Sequence, residues 1–225
     1  MTHAPILAFD IFGTVVDWHG SIQREVAALY PQVDADAFAL AWRAGYQPAM
    51  QRVRSGELGW TLIDDLHRLI LDDLLPKFGL NALTEAQKQH LNKVWHRLDP
   101  WPDTVAGLTR LKAKHTICSL SNGNIGLLTN MAKHAGLPWD CVLSAEVFKA
   151  YKPHPDTYLG VARVFDVPPE QVALVATNVS LFIASPLLAP LMMLGWGASI
   201  GGLLGATVGA VKSADSGTAA GAGSD

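Results

Sequence analysis

Phe9-Asp10-Ile11-Phe12-Gly13-Thr14-Val15-Val16-Asp17 ends the first apolar run of the chain on a carboxylate and then turns. The run from Pro5 to Phe9 is short and unbroken, the pattern of a strand buried on both faces. Gly13 and Thr14 interrupt it and read as a turn. In an open parallel sheet, ligands bind beyond the carboxyl ends of the strands, where this Asp falls. A strand-end Asp is more often a turn or cap residue. The weight given to Asp10 therefore depends on what the other strand ends carry.

Working outward, the pattern from about Ser21 to Leu98 is helical, and no strand is read there. Leu62, Ile63, Leu66, Leu69 and Ile70 fall at helical spacing, and Thr84 with Gln87 has capping-box spacing. Pro100, Trp101 and Pro102 then punctuate a change. A helix near Thr104 to Lys114 precedes an apolar run at Thr116 to Leu120. A second helix, Ile125 to His134, precedes Cys141 to Val147, and a third, about Pro155 to Phe165, precedes Val172 to Ala176. Strands alternating with helices of this length predict an α/β fold with a parallel sheet and helices on its faces. The expected organisation is a Rossmann-like core from residues 1–17 and 99–178, with residues 18–98 inserted as a helical cap over the strand ends.

Four strand ends then carry reactive or polar groups: Asp10 with Thr14, Ser121-Asn122-Gly123, Lys152, and Thr177-Asn178. Each alone is weak, since Ser-Asn-Gly is a common turn and a lone Lys is usually a solvated charge. In this order they form a candidate crevice. A carboxylate can act as a covalent nucleophile, forming an ester that water cleaves. Thr14 and Asn122 can orient it, Lys152 can favour its ionised form, and Ser121 can hydrogen-bond a carboxylate or phosphate.

Composition narrows the class. The 225 residues are 49% hydrophobic and 16% charged, with a formal net charge of -3. No basic stripe points to nucleic acid, and Arg52 with Arg54 reads as a solvated face. Cys118 and Cys141 sit in strand-like runs and read as buried, inert thiols rather than a disulfide framework. No basic region precedes the first apolar run, so no signal peptide is read and a cytoplasmic domain is expected. The C-terminal part differs. Val179 to Val211 holds no charged residue, and Gly197, Gly201, Gly205 and Gly209 recur every four positions. That run exceeds the roughly 20 residues needed to span a bilayer. Its glycine spacing suits close helix packing in a membrane, although Pro186 and Pro190 would divide it. Residues 179–212 are therefore expected to be an apolar, helical, membrane-like segment, against the alternative of a Gly-rich core element. Residues 213–225 are expected to be a disordered tail.

The ordered motifs resemble the haloacid dehalogenase superfamily over about residues 5 to 178. Phe9 to Asp17 is similar to its first motif, Leu120-Ser121-Asn122-Gly123 to its second, Tyr151-Lys152-Pro153 to its third, and Val175-Ala176-Thr177-Asn178 to the start of its fourth. The resemblance implies Asp10 as the nucleophile, with Thr14, Ser121, Asn122, Lys152 and Asn178 around it. Phosphatases of this superfamily carry a second Asp two residues after the nucleophile, where this chain has Phe12. An aromatic residue there resembles the 2-haloacid dehalogenases, as does Ala41-Trp42-Arg43, which implies Arg43 as the group that stabilises departing halide. Trp60 is expected to line the pocket with Phe12. The implied activity is hydrolysis of short 2-haloalkanoic acids to 2-hydroxy acids, with no cofactor and no metal. Two departures stand out: Leu181 where the family carries an acid, and Ala176 where a hydroxyl is usual. A phosphatase, and an inactive interaction protein tethered to a membrane through residues 179–211, remain the alternatives. A homodimer is left open.

Overall fold

The structure is a computed structural model that describes residues 5–177 and the backbone of Met192–Gly195. Five parallel strands lie in the order β5-β4-β1-β6-β7: β1 (Ile6–Phe9), β4 (Thr116–Ser121), β5 (Cys141–Ser144), β6 (Val172–Ala176) and β7 (Met192–Gly195). β1 is central and pairs on both edges, Phe9 standing opposite Ser119 and Val175. Its side chains alternate between two cores. Leu7 and Phe9 join the larger cluster, and Ile6 and Ala8 the smaller. All four are buried, which is why the strand reads as an unbroken apolar run.

Helices α6 (Thr104–Lys112), α7 (Ile125–Ala135), α8 (Ala145–Phe148) and α9 (Pro155–Val164) connect the later strands. The strand expected at Cys141 to Val147 is shorter than its apolar run. It stops at Ser144, whose Oγ accepts from the Glu146 amide and caps α8. Cys118 and Cys141 are both free, and they face each other in register on β4 and β5. Burial pushes the Cys118 thiol far above its ordinary range.

Between β2 (Val16–Asp17) and β3 (Asp99–Pro100) lie five helices: α1 (Trp18–Leu29), α2 (Ala35–Ala44), α3 (Tyr46–Arg54), α4 (Ile63–Leu74) and α5 (Glu85–Asn92). β2 and β3 pair antiparallel, Val16 with Pro100 and Asp17 with Asp99, so the insertion leaves and rejoins the core through one short ladder. These two-residue strands are too short to leave a periodicity. Thr84 and Gln87 do form a capping box at the start of α5. α2 and α3 meet at Gly45 against α4, so closely that a Cβ there would lie 2.5 Å from Ile70 Cγ2. Asp64 on α4 pins the insertion to the core. Its backbone amide donates to Asn124 Oδ1 at 3.2 Å, and its carboxylate lies 2.8 Å from both Lys93 Nζ and His96 Nε2. Burial works against this carboxylate's charge. Hydrogen bonds from His96 and Lys93 outweigh it and hold Asp64 well below the usual range.

The expectation of a helical segment over 179–212 is corrected at four residues. Met192–Gly195 is a strand, parallel to β6, so the sheet continues past its fourth strand. A short apolar run such as Met192-Met193-Leu194 suits a doubly buried strand as well as a helix, and periodicity cannot separate them. Among the described residues, no helix is long and apolar enough to cross a membrane. The rest of 179–212, and 213–225, lie outside the described residues.

The insertion's core is aromatic. Trp42 is fully buried and donates from Nε1 to the His67 carbonyl at 3.0 Å. The His67 ring stacks on Trp95 at 4.1 Å, and neither ring nitrogen has a hydrogen-bond partner. Burial pushes the His67 pKa down to about 3. A base depressed in this way binds fewer protons folded than unfolded, so stability is full above its unfolded pKa and falls as pH drops through 6.5 toward 3. Its share of the loss between pH 7 and 5 is about 2 kcal/mol. His67→Phe keeps a ring against Trp95 and should flatten urea-unfolding stability over that window. An unchanged pH slope would show that His67 is not the group responsible.

Candidate active site

Asp10 stands one residue beyond the register of β1, with its amide still donating to the Val175 carbonyl at 2.9 Å. The backbone then turns sharply. Gly13 adopts φ 87°, and the amides of Thr14 and Val15 return to the Ile11 carbonyl. This turn brings Thr14 back over the carboxylate, where its Oγ1 donates to Asp10 Oδ2 at 3.1 Å. Lys152 Nζ reaches the other oxygen at 2.6 Å and also donates to the Leu120 carbonyl at 2.9 Å. The Lys152 side chain is 9% exposed and that of Asp10 23%. The charge pair is thus shielded yet open on the nucleophile's side.

Asn122 organises the approach of Lys152. Its Oδ1 accepts from the Lys152 amide at 2.8 Å, and its Nδ2 contacts Met50 Sδ of the insertion at 3.4 Å. Ser121 is fully buried, and its Oγ accepts from the Gly123 amide at 3.2 Å, which shapes the turn at the end of β4. Asp10, Thr14, Asn122 and Lys152 are therefore one connected group, with Ser121 beneath it. Asn178 and Leu181 lie outside the described residues.

The insertion contributes Arg43, near the end of α2. Its guanidinium carbon lies 4.2 Å from the Tyr46 ring centre, 5.5 Å from Trp18 and 6.0 Å from Phe12. Among the described residues, Arg43 Nη1 is buried with no hydrogen-bond partner. Phe12 is both core and pocket wall. It packs edge-on to Trp95 and is also the core-side ring nearest to Arg43 in this set. Trp60 lies apart from that group. It packs on Tyr151 at 4.8 Å, beside Lys152 in the chain, and Tyr151 Oη donates to the Thr61 carbonyl.

Two contributors were not among the residues expected from sequence. Tyr46 is one, and an aromatic three positions after Arg43 was the signal available. Thr177 is the other. Its amide donates to Thr14 Oγ1 at 3.1 Å, and the two hydroxyls lie 3.3 Å apart. The missing hydroxyl at Ala176 is explained by placement: that side chain is buried in the smaller core cluster with Ala8 and Leu120. No group of three or more His, Cys, Asp or Glu among the described residues is placed to hold a metal ion.

Comparison with known proteins agrees with this geometry. A model of the haloacid dehalogenase-like hydrolases matches residues 5–175. (S)-2-haloacid dehalogenase 1 of Pseudomonas sp. (strain CBS-3) is 30% identical over 181 residues, 76% of this chain and 74% of the relative. The crystal structure of the L-2-haloacid dehalogenase PA0810 is 44% identical, with a TM-score of 0.78 over 85% of this chain and 83% of that one. A structure of the L-2-haloacid dehalogenase of Xanthobacter autotrophicus with chloropropionic acid covalently bound is 25% identical. It superposes with a TM-score of 0.72 over 84% of this chain and 76% of its own.

The Asp10–Lys152 pair makes a stability prediction. Lys152→Met leaves a partly buried carboxylate without its cation and should lower unfolding free energy by roughly 1–3 kcal/mol. Adding Asp10→Asn should restore most of that loss. Chemical denaturation of the wild type, both single variants and the double variant reads the coupling. A double variant as unstable as Lys152→Met alone would place the loss elsewhere.

Proposed function

Because the chain belongs to the haloacid dehalogenase-like hydrolases, we propose that it hydrolyses short 2-haloalkanoic acids to 2-hydroxy acids through an ester on Asp10. The observation that carries this reading is the pairing of Phe12 with Arg43. The position two residues after the nucleophile is an aromatic wall with no proton to give, and a cation from the insertion lies 6.0 Å from it. A phosphate ester needs an acid for its leaving oxygen, whereas halide departs unprotonated and is stabilised by a cation.

In the first step an Asp10 carboxylate oxygen attacks the carbon bearing the halogen. The new C–O bond forms as the carbon–halogen bond breaks, with inversion, and the halide leaves with the bonding pair toward Arg43. Lys152 and Thr14 hold the carboxylate ionised and aimed. In the second step water adds to the Asp10 ester carbonyl. The carbonyl–oxygen bond to the substrate carbon breaks, the 2-hydroxy acid leaves, and the carboxylate is restored. Ser121 and Asn122 serve substrate and nucleophile at the end of β4, Asn178 completes the ring, and Trp60 lines the entrance. Residues 18–98 act as the cap that excludes water during the first step. Leu181, in place of an acid, slows activation of the hydrolytic water, so the ester builds up.

The test mixes purified protein with 2-chloropropionate and follows chloride and intact mass together. Chloride release near one equivalent with an adduct on Asp10 is expected, followed by slow turnover. Asp10→Asn should cut release by at least about 10³-fold. No chloride and no adduct, with hydrolysis of p-nitrophenyl phosphate instead, would favour a phosphatase.

A further inference from the structure

Arg43 and Tyr46 stand three residues apart across the α2–α3 junction, where neighbouring side chains on a helical path meet. The junction leaves them little freedom. Gly45 between them is packed against Ile70, and Tyr46 itself is 4% exposed. The Tyr46 ring also packs against His67 at 5.9 Å, and His67 in turn stacks on Trp95 at 4.1 Å. The ring that faces Arg43 is thus fixed from behind by a fully buried column. A guanidinium 4.2 Å from a ring centre is well inside the range of cation–π attraction, and the contact gains strength as water is excluded. Among the three rings around Arg43, Tyr46 makes the shortest approach.

We propose that Tyr46 is a positioning residue: the face of its ring holds the Arg43 guanidinium at the pocket and so sets how strongly departing halide is stabilised. This rests on the halide reading of Arg43. The stack uses the guanidinium's face and leaves its in-plane N–H groups to donate, which suits an anion arriving at the edge. The phenol adds a second link. Its oxygen lies within hydrogen-bonding reach of Asn122 and Arg43, so one buried side chain bridges the halide cation of the insertion and the amide that seats Lys152.

The experiment compares Tyr46→Phe and Tyr46→Leu in the full-length chain. The single-turnover rate of halide release is measured with 2-chloro- and 2-bromopropionate. Tyr46→Leu should slow chloride release by about tenfold, and bromide release less, because the poorer leaving group draws more on the cation. The apparent affinity for substrate should hold nearly constant. Tyr46→Phe keeps the stack and should retain most of the rate. Tyr46→Leu added to Arg43→Lys should cost little more, since both act through one group. A second readout does not depend on turnover. ¹⁵N relaxation of the Arg43 Nε–H should report a looser side chain in Tyr46→Leu and a wild-type one in Tyr46→Phe. Equal order parameters in all three proteins overturn the proposal, as does a rate loss equal for both halides. If Tyr46→Leu fails to fold, Tyr46→Met is measured by the same two criteria. A wild type that releases no halide, but whose Arg43 loosens with the ring removed, would defeat the dehalogenase reading and leave the positioning role standing.

Discussion

A carboxylate at the end of a doubly buried strand loses much of its hydration, and it stays ionised only if a cation meets it. In this protein that cation is Lys152, 2.6 Å from Asp10, and much of the architecture serves the encounter. β1 carries Asp10 at the centre of the sheet. β4 offers the Leu120 carbonyl as a second anchor for the ammonium, and Asn122, just past β4, fixes the lysine's backbone. Thr14 occupies the other carboxylate oxygen because a glycine at positive φ lets the chain double back. Each constraint is modest. Together they hold a charged pair in a place from which either partner alone would be driven to neutralise.

The insertion meets that core on different terms. Its interior is a column of rings, Trp42, His67, Trp95 and Tyr46, with His67 kept neutral by burial. Its attachment is polar, through Asp64 to Asn124 and through Asn122 to Met50. A rigid aromatic body on a hydrogen-bonded footing delivers one guanidinium across a gap that the sheet cannot bridge itself. Phe12 is the core's contribution to that gap. It is a core residue by burial and a site residue by its nearness to Arg43, and the two descriptions do not compete.

Much of this was legible in the chain because strand-end chemistry sits beside strong apolar runs. Asp10, Asn122 and Lys152 are each one or a few residues past a run whose strand character is plain. Tyr46 was not legible, since helical spacing says that it lies near Arg43 but not that the junction buries its ring. Thr177 was undervalued because attention fell on Ala176, and only the pleat decides which of two adjacent residues faces the crevice. The ladder of β2 with β3 is too short for any periodicity. The strand at Met192–Gly195 hid within an uncharged stretch where a helix seemed the simpler reading, because doubly buried strands and apolar helices share a composition.

The strand order has a temporal consequence. β1 is the first strand to leave the ribosome, but its neighbours in the sheet begin at Thr116 and Val172. Until those emerge, an apolar strand tipped with the nucleophile has both edges unsatisfied, while the whole aromatic insertion is made in between. Pairings between positions so distant along the chain form late and slowly. The insertion, rich in local contacts and closed on itself, is able to fold first. The nascent chain would then carry a finished upper body tethered to an open lower one, and the nucleophile would gain its cation only near the end of synthesis.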